Sequence, residues 1–245
     1  MQNRHKITYI LLPLALLILL ISLTSCSIKQ EIFIDVNAAG EVEFDIEVEE
    51  FFTAVVEDFT VFIPEEERDV TDTNIQELQD SINESPYAHD AVFIETEKNH
   101  YIGTFKFDDA ESFFNDVHDE LKLESLFSFT TKGDQNTLTV YLDMDNYAEL
   151  TELIPLLKDP SFSIFGPEEN VGVSEEDYLD MISYLLGDEG PGAIDRSEIS
   201  IIINTDSPII SQTNGIEHAE DQVEFAIPII DFLLLAEPIN YSVTW

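Results

Sequence analysis

The groups able to do chemistry in this chain are one thiol, five imidazoles and a large excess of carboxylates. Cys26 is the sole cysteine, so an intramolecular disulfide and a thiolate metal cluster are both ruled out. The histidines are His5, His89, His100, His118 and His218; no two lie three or four residues apart, and no His-Glu-x-x-His occurs. A zinc site therefore has no local support, and His100 (in a turn) and His118 (on a helix flank) read as solvated surface. Nucleophilic catalysis has no Gly-x-Ser-x-Gly or Ser-x-x-Lys to work with, and no glycine pattern forms a phosphate cradle. The 51 Asp and Glu always allow an acid and base pair to be imagined, yet nothing singles out two of them. Asp143-Met144-Asp145-Asn146 begins like a calcium loop but lacks Gly at its sixth position and Glu at its twelfth. Asp143 and Asp145 read instead as a strand end and a helix cap. Asp188–Asp195 offers oxygen ligands on spacing alone, a weaker calcium candidate. No catalytic residue, cofactor or resident metal is expected, and the chain is not read as an enzyme.

What the thiol can do depends on what precedes it. Met1–Lys6 is polar and basic, and Ile7–Leu23 is an apolar run interrupted by Thr8, Pro13 and Ser22. That is the order of a secretory signal, and the run is short for a span of ~20 residues. Leu23-Thr24-Ser25-Cys26 then resembles the lipobox of bacterial lipoproteins, in which the cysteine is acylated with diacylglycerol before cleavage. The resemblance implies a signal peptide at 1–25 and a mature domain at 26–245, held on the lipid bilayer through acylated Cys26. It implies export to the cell envelope. With Ser27 rather than Asp after the cysteine, the outer membrane is the expected address if the organism has one. The other reading is an uncleaved membrane anchor, which the small residues before Cys26 disfavour.

Downstream, the periodicity names the elements. Ile32, Ile34 and Val36, then Val42, Phe44, Ile46 and Val48, alternate with polar residues, so 30–49 is predicted to be a hairpin with one apolar and one acidic face. Asn37-Ala38-Ala39-Gly40 is its turn, with Gly40 expected in the left-handed region. Phe51, Phe52, Val55, Val56, Phe59, Phe62 and Ile63 recur at helical spacing up to Pro64, and a short helix is predicted near 74–83. Hairpins follow at about 91–107 and 125–144, each leading through acidic caps (Asp108 and Asp109, then Asp145) into a helix. Ser174 and Gly187 bracket another helix, and Asp188–Asp195 reads as the most flexible stretch. Strands containing Ile199–Ile203, Val223–Ile227 and Ile239–Val243 close the chain. A turn is expected at Asn214-Gly215, and a short buried helix at 228–235. The expected fold is α+β, a single domain of antiparallel sheet covered on one face by helices.

Two stretches also carry a resemblance. Val36-Asn37-Ala38-Ala39-Gly40-Glu41-Val42 behind the lipobox, and Ile199–Asn204 with Ser207-Pro208, Thr213-Asn214-Gly215 and a closing Val243-Thr244-Trp245, look like the LppM-like lipoproteins. The match lies in the two ends and not between Pro64 and Pro191. It implies an exported α+β domain without an established catalytic centre.

Charge narrows the function classes. Lys and Arg number 10, the formal net charge is -41, and Arg4 and Lys6 lie before Cys26. Nucleic-acid binding and polybasic membrane attachment are excluded. Hydrophobic residues at 44% and 17 Phe exclude a disordered chain. The expected function is a membrane-anchored, non-catalytic binding or interaction module. Its sharper version binds a lipid or other apolar ligand among Phe51, Phe52, Phe59, Phe62, Phe232 and Leu234. The alternative is a structural or assembly scaffold that receives a basic protein partner on its acidic surface. Acids spread along the whole chain are also what a protein adapted to high salt would carry.

Overall fold

The structure is a computed structural model that describes residues 26–35, 37–48, 79–80, 82–97, 100–115, 126–153 and 163–245. The predicted helix at 51–63, and with it Phe51, Phe52, Phe59 and Phe62, lies outside the described residues. The strands are β1 (Cys26–Ile34), β2 (Gly40–Val48), β3 (His89–Glu97), β4 (His100–Phe107), β5 (Phe127–Lys132) and β6 (Gln135–Leu142). After them come β7 (Glu198–Thr205), β8 (Ser211–Thr213), β9 (Ile216–Ala219), β10 (Gln222–Pro228) and β11 (Ile239–Thr244). The helices are α1 (Ala110–Asn115), α2 (Tyr147–Leu153), α3 (Glu175–Leu186), α4 (Gly190–Asp195) and α5 (Ile229–Leu234). A further helical stretch at 79–80 and 82–84 precedes β3.

The fold is α+β, as the alternation and helical runs require, but the strands form two sheets rather than one. The larger has the order β3-β4-β2-β1-β7-β10-β9, and the smaller β5-β6-β11-β8. Every described pairing is antiparallel except β1 with β7, which run side by side in parallel at the centre of the larger sheet. Parallel neighbours need a long crossover, and here it is the chain between the two strands, which contains β2, β3 and β4 of the larger sheet and β5 and β6, half of the smaller one.

Each predicted hairpin forms, and local chemistry explains most of the turns. Asp35 accepts the N–H groups of Asn37 (2.7 Å) and Ala39 (3.1 Å), which lets Ala38 take φ 62°. Ala38 thus occupies the left-handed position expected of Gly40. Gly40 is required for another reason: a Cβ there would strike the Phe33 carbonyl and the Phe107 ring. Asp109 caps α1 through the Ser112 N–H at 2.7 Å. The cap expected from Asp145 is supplied by its neighbours. Asp143 accepts the N–H groups of Asp145 and Asn146, and Asn146 accepts that of Asp143. Ser174 caps α3 by accepting from the Asp177 N–H, and Gly187 stops it at φ 89°.

One further expectation changes. Asp188–Asp195 is helical over most of its length, since Pro191 fits a first turn and Gly190 lets α4 approach α3. A Cβ at Gly190 would lie 2.8 Å from Ile182 Cγ2. The turn expected at Asn214-Gly215 is present, with Asn214 at φ 59°, and it carries the chain from β8 in one sheet to β9 in the other.

The edge of β3 is closed by side chains. Asn83 accepts the Ala91 N–H at 2.8 Å and donates to the Ala91 carbonyl at 3.2 Å, while Gln79 accepts the Phe93 N–H at 2.9 Å. Four residues along a helix rise about 6 Å and two along a strand about 6.8 Å, so the two side chains reach alternate edge residues.

The inner face of the larger sheet buries Ile32, Val42, Phe44, Ile46, Phe105, Ile201, Ile203, Val223 and Phe225. A chain of aromatic contacts runs from it through α1 to the smaller sheet. Phe105 meets Phe113 at 5.6 Å, Phe113 meets Phe114 at 4.9 Å, Phe114 meets Phe129 at 6.3 Å and Phe129 meets Trp245 at 5.8 Å. These are attractive ring separations.

Candidate functional site

The alternation that buries one face of β1 and β2 turns their acids onto the other. Register extends the pattern across the sheet: Glu47, Ser27 and Glu198 form one row; Asp45, Lys29 and Ser200 the next; Glu43, Glu31, Ile202 and Glu224 the third. Glu41 and Phe33 begin a fourth. Glu31 and Glu43 are direct cross-strand partners, an arrangement that costs stability unless a cation is near.

That cation is Lys29, which pairs with Glu31. The Glu31 hydrogen bond holds the Lys29 ammonium above its ordinary range, with Asp45 and Glu224 adding to it. Ser200 Oγ donates to Glu224 at 2.5 Å and His218 Nε2 sits 2.6 Å from its other oxygen. The Ser200 bond is the main reason that the Glu224 carboxyl is pulled below its ordinary range. Glu198 moves the opposite way, raised first by burial and then by Glu224. Thr104 donates to Glu41 at 2.9 Å.

Two groupings on this face hold catalytic residue types. In Ser200–Glu224–His218 the carboxylate stands in the middle, so the imidazole cannot take the serine proton. Thr96–His100–Asp45 has the order of a nucleophile, base and orienting acid. His100 Nδ1 lies 3.0 Å from Thr96 Oγ1, and its Nε2 lies 2.7 Å from Asp45 Oδ1. Yet the Asp45 side chain is 58% exposed, and Thr96 Oγ1 also donates to the His100 carbonyl at 3.3 Å. Water screens such a pair, and the bonds tie β3 to its neighbours at the turn end of the β3–β4 hairpin. The sequence reading missed both groupings. Strand parity puts Ser200 and Glu224 on the acidic face, but only the register shows that β7 and β10 are neighbours.

The calcium-like loop is closed on itself. Asp143 accepts Tyr141 Oη at 2.6 Å and two backbone N–H groups, and the tyrosine bond is the chief cause of its lowered pKa. Among the described residues no three His, Cys, Asp or Glu side chains gather as a metal-holding group.

No protein-family profile and no curated protein matches this chain. Its structure is similar to that of the folded domain of the Mycobacterium tuberculosis LppM protein, solved by NMR. That likeness has a TM-score of 0.40 and 9% identity, covering 90% of this chain and 89% of the other. No residue role is carried across at that level.

Of the residues expected to bind or be modified, Cys26 is the first residue of β1, opposite Val48 in β2. Phe232 and Leu234 are buried in α5 as part of the hydrophobic core. Phe232 meets Tyr147 edge-on at 6.5 Å, and burial pushes the Tyr147 phenol up to about 12. The four other phenylalanines of the expected lining, Phe51, Phe52, Phe59 and Phe62, lie outside the described residues.

Proposed function

We propose that this chain is an exported lipoprotein of the bacterial cell envelope, anchored through acylated Cys26, that acts without catalysis as an interaction module for a basic protein partner. The observation that carries the partner reading is the register of β1, β2, β7 and β10. It sets Glu31, Glu41, Glu43, Asp45, Glu47, Glu198 and Glu224 on one side of one sheet, with Lys29 among them. A rigid array of carboxylates steers and orients a cationic surface better than the same charges on loops. The reading of a lipid ligand has less support, since Phe232 and Leu234 pack in the core.

The anchor is tested by growing the expressing bacterium with an alkyne fatty acid. The native chain is expected to take up the label and Cys26→Ser to lose it; label retained by the variant would end the lipoprotein reading. The partner face is tested with an immobilised Lys- and Arg-rich peptide. Glu41→Gln, Glu43→Gln, Asp45→Asn and Glu47→Gln together are expected to weaken binding by about tenfold, or about 1.4 kcal/mol. A control with the same change of charge, Glu168→Gln, Glu169→Gln, Asp180→Asn and Asp188→Asn on exposed residues, is expected to weaken it far less. Equal losses would reduce the face to bulk charge.

A further inference from the structure

We infer that the Cys26 end of the seven-stranded sheet is the surface that meets the bilayer, so that the strands rise from the membrane and the β1–β2 turn points away from it. The inference rests on the membrane-anchored reading but not on acylation. The apolar run ends at Leu23 and β1 begins at Cys26, so three residue steps, at most about 11 Å, separate them. An acyl chain on Cys26 and an uncleaved helix both leave from the same point.

Register then names the surface. Cys26 lies beside Val48, where β2 ends; the next rank holds Glu47 opposite His100, where β4 begins, and Glu198, where β7 begins. Glu97 at the end of β3 pairs with His100, and Pro228 at the end of β10 pairs with Glu198. The opposite end holds Ala38, Asp108 at the close of β4 and Asp221 before β10. Nine residues of β1 separate the two ends by about 26 Å, more than twice the reach of the tether. Lying on its outer face would press Glu41, Glu43 and Asp45 against lipid headgroups and strip their water, which the upright arrangement avoids. Upright, the acidic face stands perpendicular to the membrane, open to a partner.

The test uses the full chain, purified from bacterial membranes and reconstituted in phosphatidylcholine vesicles that contain a headgroup-nitroxide lipid. Four variants, Glu97→Cys and Glu198→Cys near the anchor and Asp108→Cys and Asp221→Cys far from it, each carry a thiol-reactive dye; all four positions are exposed. Both near dyes are expected to be quenched several-fold more than both far dyes. Equal quenching at the two ends, or the reverse order, would overturn the orientation. Flotation is read first: a chain that does not float with the vesicles overturns the anchored reading and this inference with it. Two dyes per chain would show Cys26 unacylated. That outcome sinks the lipoprotein reading, while stronger quenching at the near end still upholds the orientation, because a dye on Cys26 adds equally to every variant.

Discussion

Replacing Phe129 by alanine is expected to remove about 3–5 kcal/mol of stability, a large share of the 5–15 kcal/mol typical of a folded domain. Phe129 is fully buried and sits where three parts of the molecule meet: its own strand β5, Phe114 of α1, and Trp245 beyond β11. The two sheets share no strand pairing. Along this route they are held by side chains, and α1 with Phe113 and Phe114 is the bridge. Truncation leaves a cavity that neither sheet can collapse into without losing its register. Urea denaturation checks this: the midpoint is expected to fall with the slope unchanged, as for lost stability in an intact fold. Phe33→Ala is the control, because Phe33 is 37% exposed on the outer face and its loss should cost well under half as much. Similar shifts for both would mean that the aromatic route does not couple the sheets.

The contrast between Phe129 and Phe33 also marks how far the sequence can be read. Which face of a strand is buried follows from alternation, and in β1 and β2 the expected Ile32, Ile34, Val42, Phe44 and Ile46 are all buried. Turns built from one side chain and its near neighbours were partly legible: Ser174 and Gly187 do bracket α3. Asp35 could have been read in the same way, since a carboxylate two and four residues before the N–H groups it accepts is a local motif. Asp188–Asp195 misled because Gly and Pro lower helix propensity, whereas a glycine packed on Ile182 is there for space. Pairing between distant strands was not legible at all. Nothing local says that β1 lies against β7, some 170 residues later, and the candidate site depends on that neighbour. Rows such as Asp45, Lys29 and Ser200 come from three separate stretches, so composition could announce an acidic face but not its members.

Those rows lead to the second large effect. Melting temperature is expected to rise by roughly 6–12 °C between 0.05 and 1 M sodium chloride, the equivalent of about 3 kcal/mol at 2–4 °C each. Folding brings Glu31 opposite Glu43 and sets Glu41, Asp45 and Glu47 on the same sheet face, while Lys29 and Lys106, the latter opposite Glu41, can neutralise only part of that charge. Unfolding lets the same charges separate. Salt shrinks the screening length from about 10 Å at 0.1 M to about 3 Å at 1 M, shorter than the spacing between strands, so the repulsion fades. General strengthening of apolar burial by salt would also raise the melting temperature, and the two causes separate in a variant. With Glu41, Glu43, Asp45 and Glu47 neutralised, the chain should melt higher at low salt and gain clearly less from added salt. An unchanged gain would place the repulsion elsewhere among the chain's acids. A flat series in the native chain would mean that the crowding is already offset by the face's own partners, the hydrogen bonds from Ser200 and Thr104 and the charge of Lys29. In that case a basic partner would have little repulsion to relieve, and the argument for the face as a docking surface would weaken with it.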